Sequence, residues 1–135
     1  EMYLLDTNIF LELLLDRERA SECHQLLEKI SAGETEAVVT SFSVHAVCGL
    51  LSKPSLAEVF LSNVVNSLGL SVYPTAPEEE LEASVLAQKI GLDFDDGIQY
   101  FVAKKVGADA IVSFDKHFDR TDLPRLEPKK VLSEG

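Results

Sequence analysis

Apolar positions along the chain follow two periods, and the switches between them outline its elements. Met2–Leu5, Ala37–Val39, Leu70–Tyr73 and Ala110–Val112 are short runs, largely apolar or β-branched, which suits strands buried on both faces. Elsewhere apolar side chains recur three and four residues apart, the period of a helix with one buried face. Ile9, Phe10, Leu13 and Leu14 make the first such segment, with Thr7 or Asn8 as its cap. A second runs from Arg17 to Ile30 on Ala20, Cys23, Leu26 and Leu27, closed by Gly33. Ser41 or Ser43 starts a third, through Val44, Val47, Cys48 and Leu51, which must stop before Pro54. Pro54 and Ser55 open a fourth, carrying Leu56, Val59, Phe60 and Val64. Pro77 sits in the first turn of a fifth, with Glu78, Glu79 and Glu80 at its positive end. Asp95 and Asp96 open the sixth, Ile98 to Val106, ended by Gly107. Ser113 to Asp119 reads as a polar loop around Phe114 and Phe118, and a last strand is expected near Leu126 to Val131.

Strands that alternate with helices predict an α/β fold: a three-layer α/β/α sandwich around a central parallel sheet. No repeat, linker or low-complexity tract interrupts the 135 residues, so one domain is expected over 2–135, with Glu1 ahead of Met2 left out of the reading. Hydrophobic residues make up 46% of the chain, enough for a packed core. No apolar run approaches the roughly 20 residues that span a bilayer. No basic segment followed by an apolar one opens the chain, and a cytoplasmic protein is expected. Cys23 and Cys48 then read as reduced, largely buried thiols. The net charge of −11 argues against a protein that grips nucleic acid with a broad basic surface. It leaves room for a carboxylate site whose bound cation reverses the local sign, and it suits a basic protein partner.

Three aspartates carry the candidate chemistry. Asp6 follows the first strand, Asp115 follows the strand Ala110–Val112, and Asp96 begins the helix that leads into that strand. Functional groups of parallel α/β sheets gather beyond the carboxyl ends of the strands, and crossover helices start at that same edge. Each aspartate alone has a plainer role, as a strand end, a helix cap or a loop residue; their joint placement at one edge is what singles them out. Asp119, four residues past Asp115, is a candidate fourth oxygen donor. Clustered carboxylates repel one another, and a hard divalent cation removes the conflict. Such an ion serves phosphodiester hydrolysis well. The chain has no G-x-S-x-G, Walker A, C-x-x-C or H-E-x-x-H motif to support another chemistry.

These residues also carry a resemblance. Leu4-Leu-Asp-Thr-Asn8 resembles the opening strand and D-T-N signature of PIN domains. Asp95-Asp-Gly-Ile-Gln-Tyr100, followed by Ala103 and Gly107, is similar to their third acidic motif, with Asp96 at the acidic position. Ala110-Ile-Val-Ser-Phe-Asp-Lys-His-Phe118 resembles their last motif. The resemblance implies a PIN-like fold and a ribonuclease dependent on Mg2+ or Mn2+, acting on single-stranded or structured RNA. It implies that Asp6, Asp96 and Asp115 bind metal and are catalytic, with Asp119 a secondary ligand. Asn8 would orient Asp6 or a water, and Ser113 would hydrogen-bond a ligand carboxylate or a phosphate. Many such domains are toxins of type II toxin–antitoxin pairs, which implies an antitoxin that inserts an arginine into the acidic pocket, and a homodimer.

One departure stands out. The family usually carries a glutamate on the helix after the second strand, but here no acid lies between Glu36 and Glu58. Ala46 takes that place, or Cys48 if the helix is shifted; His45 is near but offset, and Glu12 is a candidate substitute. A degenerate domain that binds protein or RNA without cleaving is therefore the alternative. A phosphoryl transferase using Asp6 as nucleophile is less favoured, because Asp-x-Asp would be expected and position 8 is Asn. Lys104, Lys105, Lys116 and Arg120 flank the acidic motifs as RNA-phosphate contacts or as ordinary solubilising charge. Leu56, Phe60 and Val64 form either a dimer face or a core stripe.

Overall fold

The short apolar runs form strands, and every pairing between them is parallel. A computed structural model describes residues 1–134; Gly135, the last residue of the expected domain, lies outside them. Strands β1 (Met2–Leu5), β2 (Glu36–Thr40), β3 (Leu70–Tyr73), β4 (Ala110–Val112) and β5 (Arg125–Leu126) form one sheet in the order β3-β2-β1-β4-β5. Tyr3 stands opposite Ala37 on one side and Ala110 on the other.

The two-residue alternation of the strands divides the core. Tyr3, Leu5, Ala37, Val39, Ala110 and Val112 face a cluster that includes Ile9, Phe10, Leu26, Val47, Phe60 and Val131. That face is covered by α1 (Thr7–Leu14), α2 (Ala20–Ser31), α3 (Ser41–Leu51), α4 (Pro54–Asn66) and α7 (Pro128–Glu134). Leu4, Val38 and Ile111 point the other way, against Ala87, Tyr100, Val102 and Phe118. There α5 (Pro77–Ile90) and α6 (Phe94–Val106) complete the three layers. No described helix is long and apolar enough to cross a membrane.

Several element ends differ from the sequence reading. The caps of α1, α3 and α6 are Asp6, Thr40 and Asp93, each one to three residues ahead of the expected ones. Helix α2 begins at Ala20 rather than Arg17, after a turn in which Asp16 takes a positive φ of 49°. The strand expected near Leu126–Val131 is only Arg125–Leu126, because Pro128 then starts α7. The expected polar loop contains a 3₁₀ turn, Lys116–Arg120, pinned by a fully buried Phe118. Phe60 and Val64 belong to the core, whereas Leu56 is 47% exposed, so the stripe divides between the two readings.

Candidate metal centre

From β1 the chain winds outward to β2 and β3, then returns to place β4 on the other side of β1. The carboxyl ends of β1 and β4 therefore border the crevice where ligands of such sheets bind. Asp6 leaves β1 at that crevice and Ser113 leaves β4 beside it. The Ser113 hydroxyl donates to Asp6 Oδ2 at 2.6 Å, and the Thr7 amide donates to Asp6 Oδ1 at 2.8 Å. Ser113 Oγ in turn accepts from the Asp115 amide at 2.9 Å and from Asn8 Nδ2 at 3.3 Å. One serine thus ties together both strand ends, Asn8 and the start of the Asp115 turn.

Asp96 enters the crevice from the first turn of α6. Asp93 caps that helix by accepting from the Asp96 amide at 2.9 Å. The next residue must be small: a Cβ on Gly97 would lie 2.7 Å from the Cβ of Ala87 and 3.2 Å from the Ala83 carbonyl oxygen. Glycine there lets α6 close on α5 and sets the depth at which Asp96 sits. Beneath the site a buried polar network links three helices. Gln99 donates to Ser43 Oγ at 2.7 Å, Ser43 and Thr7 hydroxyls lie 2.6 Å apart, and Thr40 Oγ1 accepts from the Ser43 amide at 3.0 Å.

The carboxylates are buried without matching charge. Asp6 is 7% exposed and Asp96 5%. Burial pushes the Asp6 carboxyl up to about 6, against the lowering effect of Ser113 and Thr7 and with help from the charge of Asp115. Burial, then the charges of Asp115, Asp93 and Asp6, pushes Asp96 up to about 7. Two buried oxygens, Asn8 Oδ1 and Asp96 Oδ2, have no hydrogen-bond partner. Such atoms are rare in folded proteins, since an unmatched buried polar group destabilises. The basic side chain that comes within 4 Å of Asp96 Oδ2 is that of His117, whose Nδ1 lies 3.5 Å away, longer than a good hydrogen bond. His117 Nδ1 is also 3.2 Å from Asp115 Oδ1, which accepts from the His117 amide at 2.9 Å. Asp96, Asp115 and His117 offer donor atoms within 4.8 Å of one another.

The donor set fits a divalent cation: carboxylate oxygens converge, two oxygens lack partners, and burial makes their charge unfavourable in the cation's absence. Not every residue singled out in the sequence shares in this. Asp119 is turned to Arg125, whose Nε donates to its Oδ1 at 3.0 Å. Glu12 accepts from the Arg19 amide at 2.8 Å and holds the turn before α2. Lys104 pairs with Asp122 at 2.9 Å, and Arg120 donates to the Gly91 carbonyl at 2.5 Å. Cys48 packs against the core, and neither cysteine is in a disulfide. Ala46 lines an open pocket with Ser41, His45, Thr75 and Glu80, so the α3 position offers no carboxylate. His117 and the Ser43–Gln99 network escaped the sequence reading. A glutamine inside the apolar stretch Ile98–Val102 was the available signal for the network.

Comparison with known proteins agrees with this architecture. The model of the PIN domain family matches residues 3–123. Among solved structures, VapC20 of Mycobacterium tuberculosis, described as a sarcin–ricin-loop-cleaving toxin, superposes with a TM-score of 0.71 at 16% identity, covering 90% of this chain and 95% of that one. FitAcB from Neisseria gonorrhoeae gives 0.63 at 20% identity, covering 95% and 99%. A toxin–antitoxin complex from Klebsiella pneumoniae gives 0.66 at 18%, covering 93% and 97%. No curated protein matches the chain.

Proposed function

The chain belongs to the PIN domain family, and from that premise we propose that it is a metal-dependent ribonuclease that hydrolyses RNA phosphodiesters, the toxin of a type II toxin–antitoxin pair. The observation that carries the reading is the buried, unpartnered Oδ2 of Asp96 beside Asp115 and Asp6. A structural carboxylate would have been given a cation or a donor; this one is buried with no hydrogen-bond partner.

Asp6, Asp96 and Asp115 would hold Mg2+ or Mn2+. When bound, the ion supplies positive charge for the scissile phosphate and acidifies a water. The protein's own part is positional. Ser113 fixes the Asp6 carboxylate through the 2.6 Å hydrogen bond, leaving its ligand geometry little freedom. Asn8, anchored by its amide nitrogen to Ser113, keeps Oδ1 free to accept a hydrogen bond that would orient the attacking water. Water oxygen then bonds to phosphorus and the bond to the leaving oxygen breaks. Lys116 lies between Asp115 and His117 and has no ion pair among the described residues, which makes it the basic side chain best placed to meet a phosphate.

Two further parts of the reading concern partners. An antitoxin has a receptive surface in the apolar groove of about 260 Å³ between α1, α2 and α4, lined by Phe10, Leu13, Leu14, Leu27 and Phe60. A homodimer is supported by the apolar side chains that α4 leaves exposed, Leu56 at 47% and Val59 at 60%. The absence of a carboxylate at Ala46 favours a second reading, a PIN-like module that binds RNA or protein without cleaving.

Single-stranded RNA incubated with Mn2+, with EDTA, and with the Asp6→Asn variant separates the two. The nuclease reading expects cleavage only by the parent chain with metal. Equal cleavage in EDTA or by the variant contradicts it, and metal-independent RNA binding without cleavage establishes the module.

A further inference from the structure

We propose that His117 is itself a metal ligand, standing in for the carboxylate that α3 lacks, and that it makes the centre select Mn2+ over Mg2+. The inference rests on the metal-dependent reading above. His117 reaches the crevice because the 3₁₀ turn folds back over Asp115, anchored by Phe118 in the core and by the His117 amide on Asp115 Oδ1. Its Nδ1 lies 3.2 Å from Asp115 Oδ1 and 3.5 Å from Asp96 Oδ2. Adjacent ligands of an octahedral ion with bonds of about 2.1 Å stand about 3 Å apart, so these separations suit neighbouring positions on one ion. The second, independent sign is Asp96 Oδ2 itself, more than nine-tenths buried, without a hydrogen-bond partner and aimed at the same point.

The identity of the donors then sets the preference. Mg2+ is a hard ion that favours oxygen and keeps its waters, whereas imidazole nitrogen suits first-row transition ions. A centre of three aspartates and a glutamate would offer oxygen alone. Here the donors that lie within reach of one another are two carboxylates and one imidazole nitrogen, and the side chain of His117 is 56% exposed, so the ring retains room to turn onto an ion. Lys116, the neighbouring exposed side chain, carries no donor that could replace it at neutral pH.

Calorimetric titration of the full chain with MnCl2 and with MgCl2 tests this, alongside the 14N coupling of bound Mn2+ in pulsed electron paramagnetic resonance. The parent should bind Mn2+ at least about tenfold more tightly than Mg2+. His117→Ala should lose about tenfold in Mn2+ affinity, lose much less for Mg2+, and lose the nitrogen coupling. His117→Asp should narrow the ratio by restoring an oxygen donor. Equal losses for both ions, an unchanged Mn2+ affinity, or a nitrogen coupling that survives in His117→Ala overturns the assignment and leaves the nuclease reading standing. Binding of neither ion by the parent overturns both. Circular dichroism of each variant, matched to the parent, shows that a loss of affinity is not a loss of fold.

Discussion

Two groups of carboxylates lie at opposite extremes in this molecule. At the crevice, Asp6 and Asp96 are buried among like charges, and their carboxyls are pushed up to about 6 and about 7. Around the last strand, Glu127 is held below its ordinary range by Arg19 and Arg125, and Arg125 also binds Asp119. Arg19 further pairs with Glu22 and stacks over Phe114, 4.4 Å from the ring centre. The second group has its cations built into the chain. The first has burial without them, which makes sense if its cation comes from solution.

Removing one crevice carboxylate should separate the two regions most sharply. Asp96→Asn is expected to reduce RNA cleavage with saturating Mn2+ by about a hundredfold or more, while Arg19→Lys leaves the rate within about threefold; gel-based cleavage assays read both. A comparable loss in both variants would mean that the crevice is not the reacting centre.

The pH dependence of stability should differ with and without metal. Asp6 and Asp96 bind protons more tightly folded than unfolded, so their contribution is fully present below about pH 4 and is lost as pH rises through about 6 and 7. In EDTA the protein should therefore be more stable at pH 5 than at pH 8, by on the order of 2–4 kcal/mol in urea denaturation. Saturating Mn2+ should remove or invert the slope, because the bound ion needs the ionised carboxylates. A slope in EDTA that rises with pH over this window would contradict the electrostatic account.

Gly97→Ala should act on the crevice through packing alone. Its methyl group would press on Ala87 and force α6 away from α5, for an expected loss of about 1–3 kcal/mol and weaker Mn2+ binding by calorimetry. Full stability with intact binding would show that the helix pair adapts and that Asp96 is not set by this contact. The smallest effect is expected at the other group. Arg19→Ala removes an ion-pair network that is partly in solvent, for about 1 kcal/mol and no change in metal affinity. A larger shift in metal affinity than in stability would link the two regions.

The sheet and its order of elements were legible because strands buried on both faces leave continuous apolar runs, as at β1 and β4. Topology predicts Asp6, Asp96 and Asp115 at one carboxyl edge; the donor atoms that lie within 4.8 Å of one another are those of Asp96, Asp115 and His117, with Asp6 outside that group. What escaped depends on local geometry. A 3₁₀ turn has no periodicity to detect over five residues, so the sequence around His117 and the buried Phe118 predicts only a loop. Leu126 to Val131 looked like a strand because its apolar ends are compatible with one, yet Pro128 suits the first turn of a helix. Asp119 looked like a ligand by spacing from Asp115, but Arg125, on β5, claims it across a distance in sequence that spacing cannot foresee.

The central claim is that this crevice is completed by a cation from solution. Crystals soaked in Mn2+ and measured above and below its absorption edge test it directly. The account predicts an anomalous peak about 2.2 Å from carboxylate oxygens of Asp96 and Asp115, with Asp6 facing it. A map with no peak there at saturating Mn2+, or with Arg or Lys side chains filling the crevice instead, would contradict it.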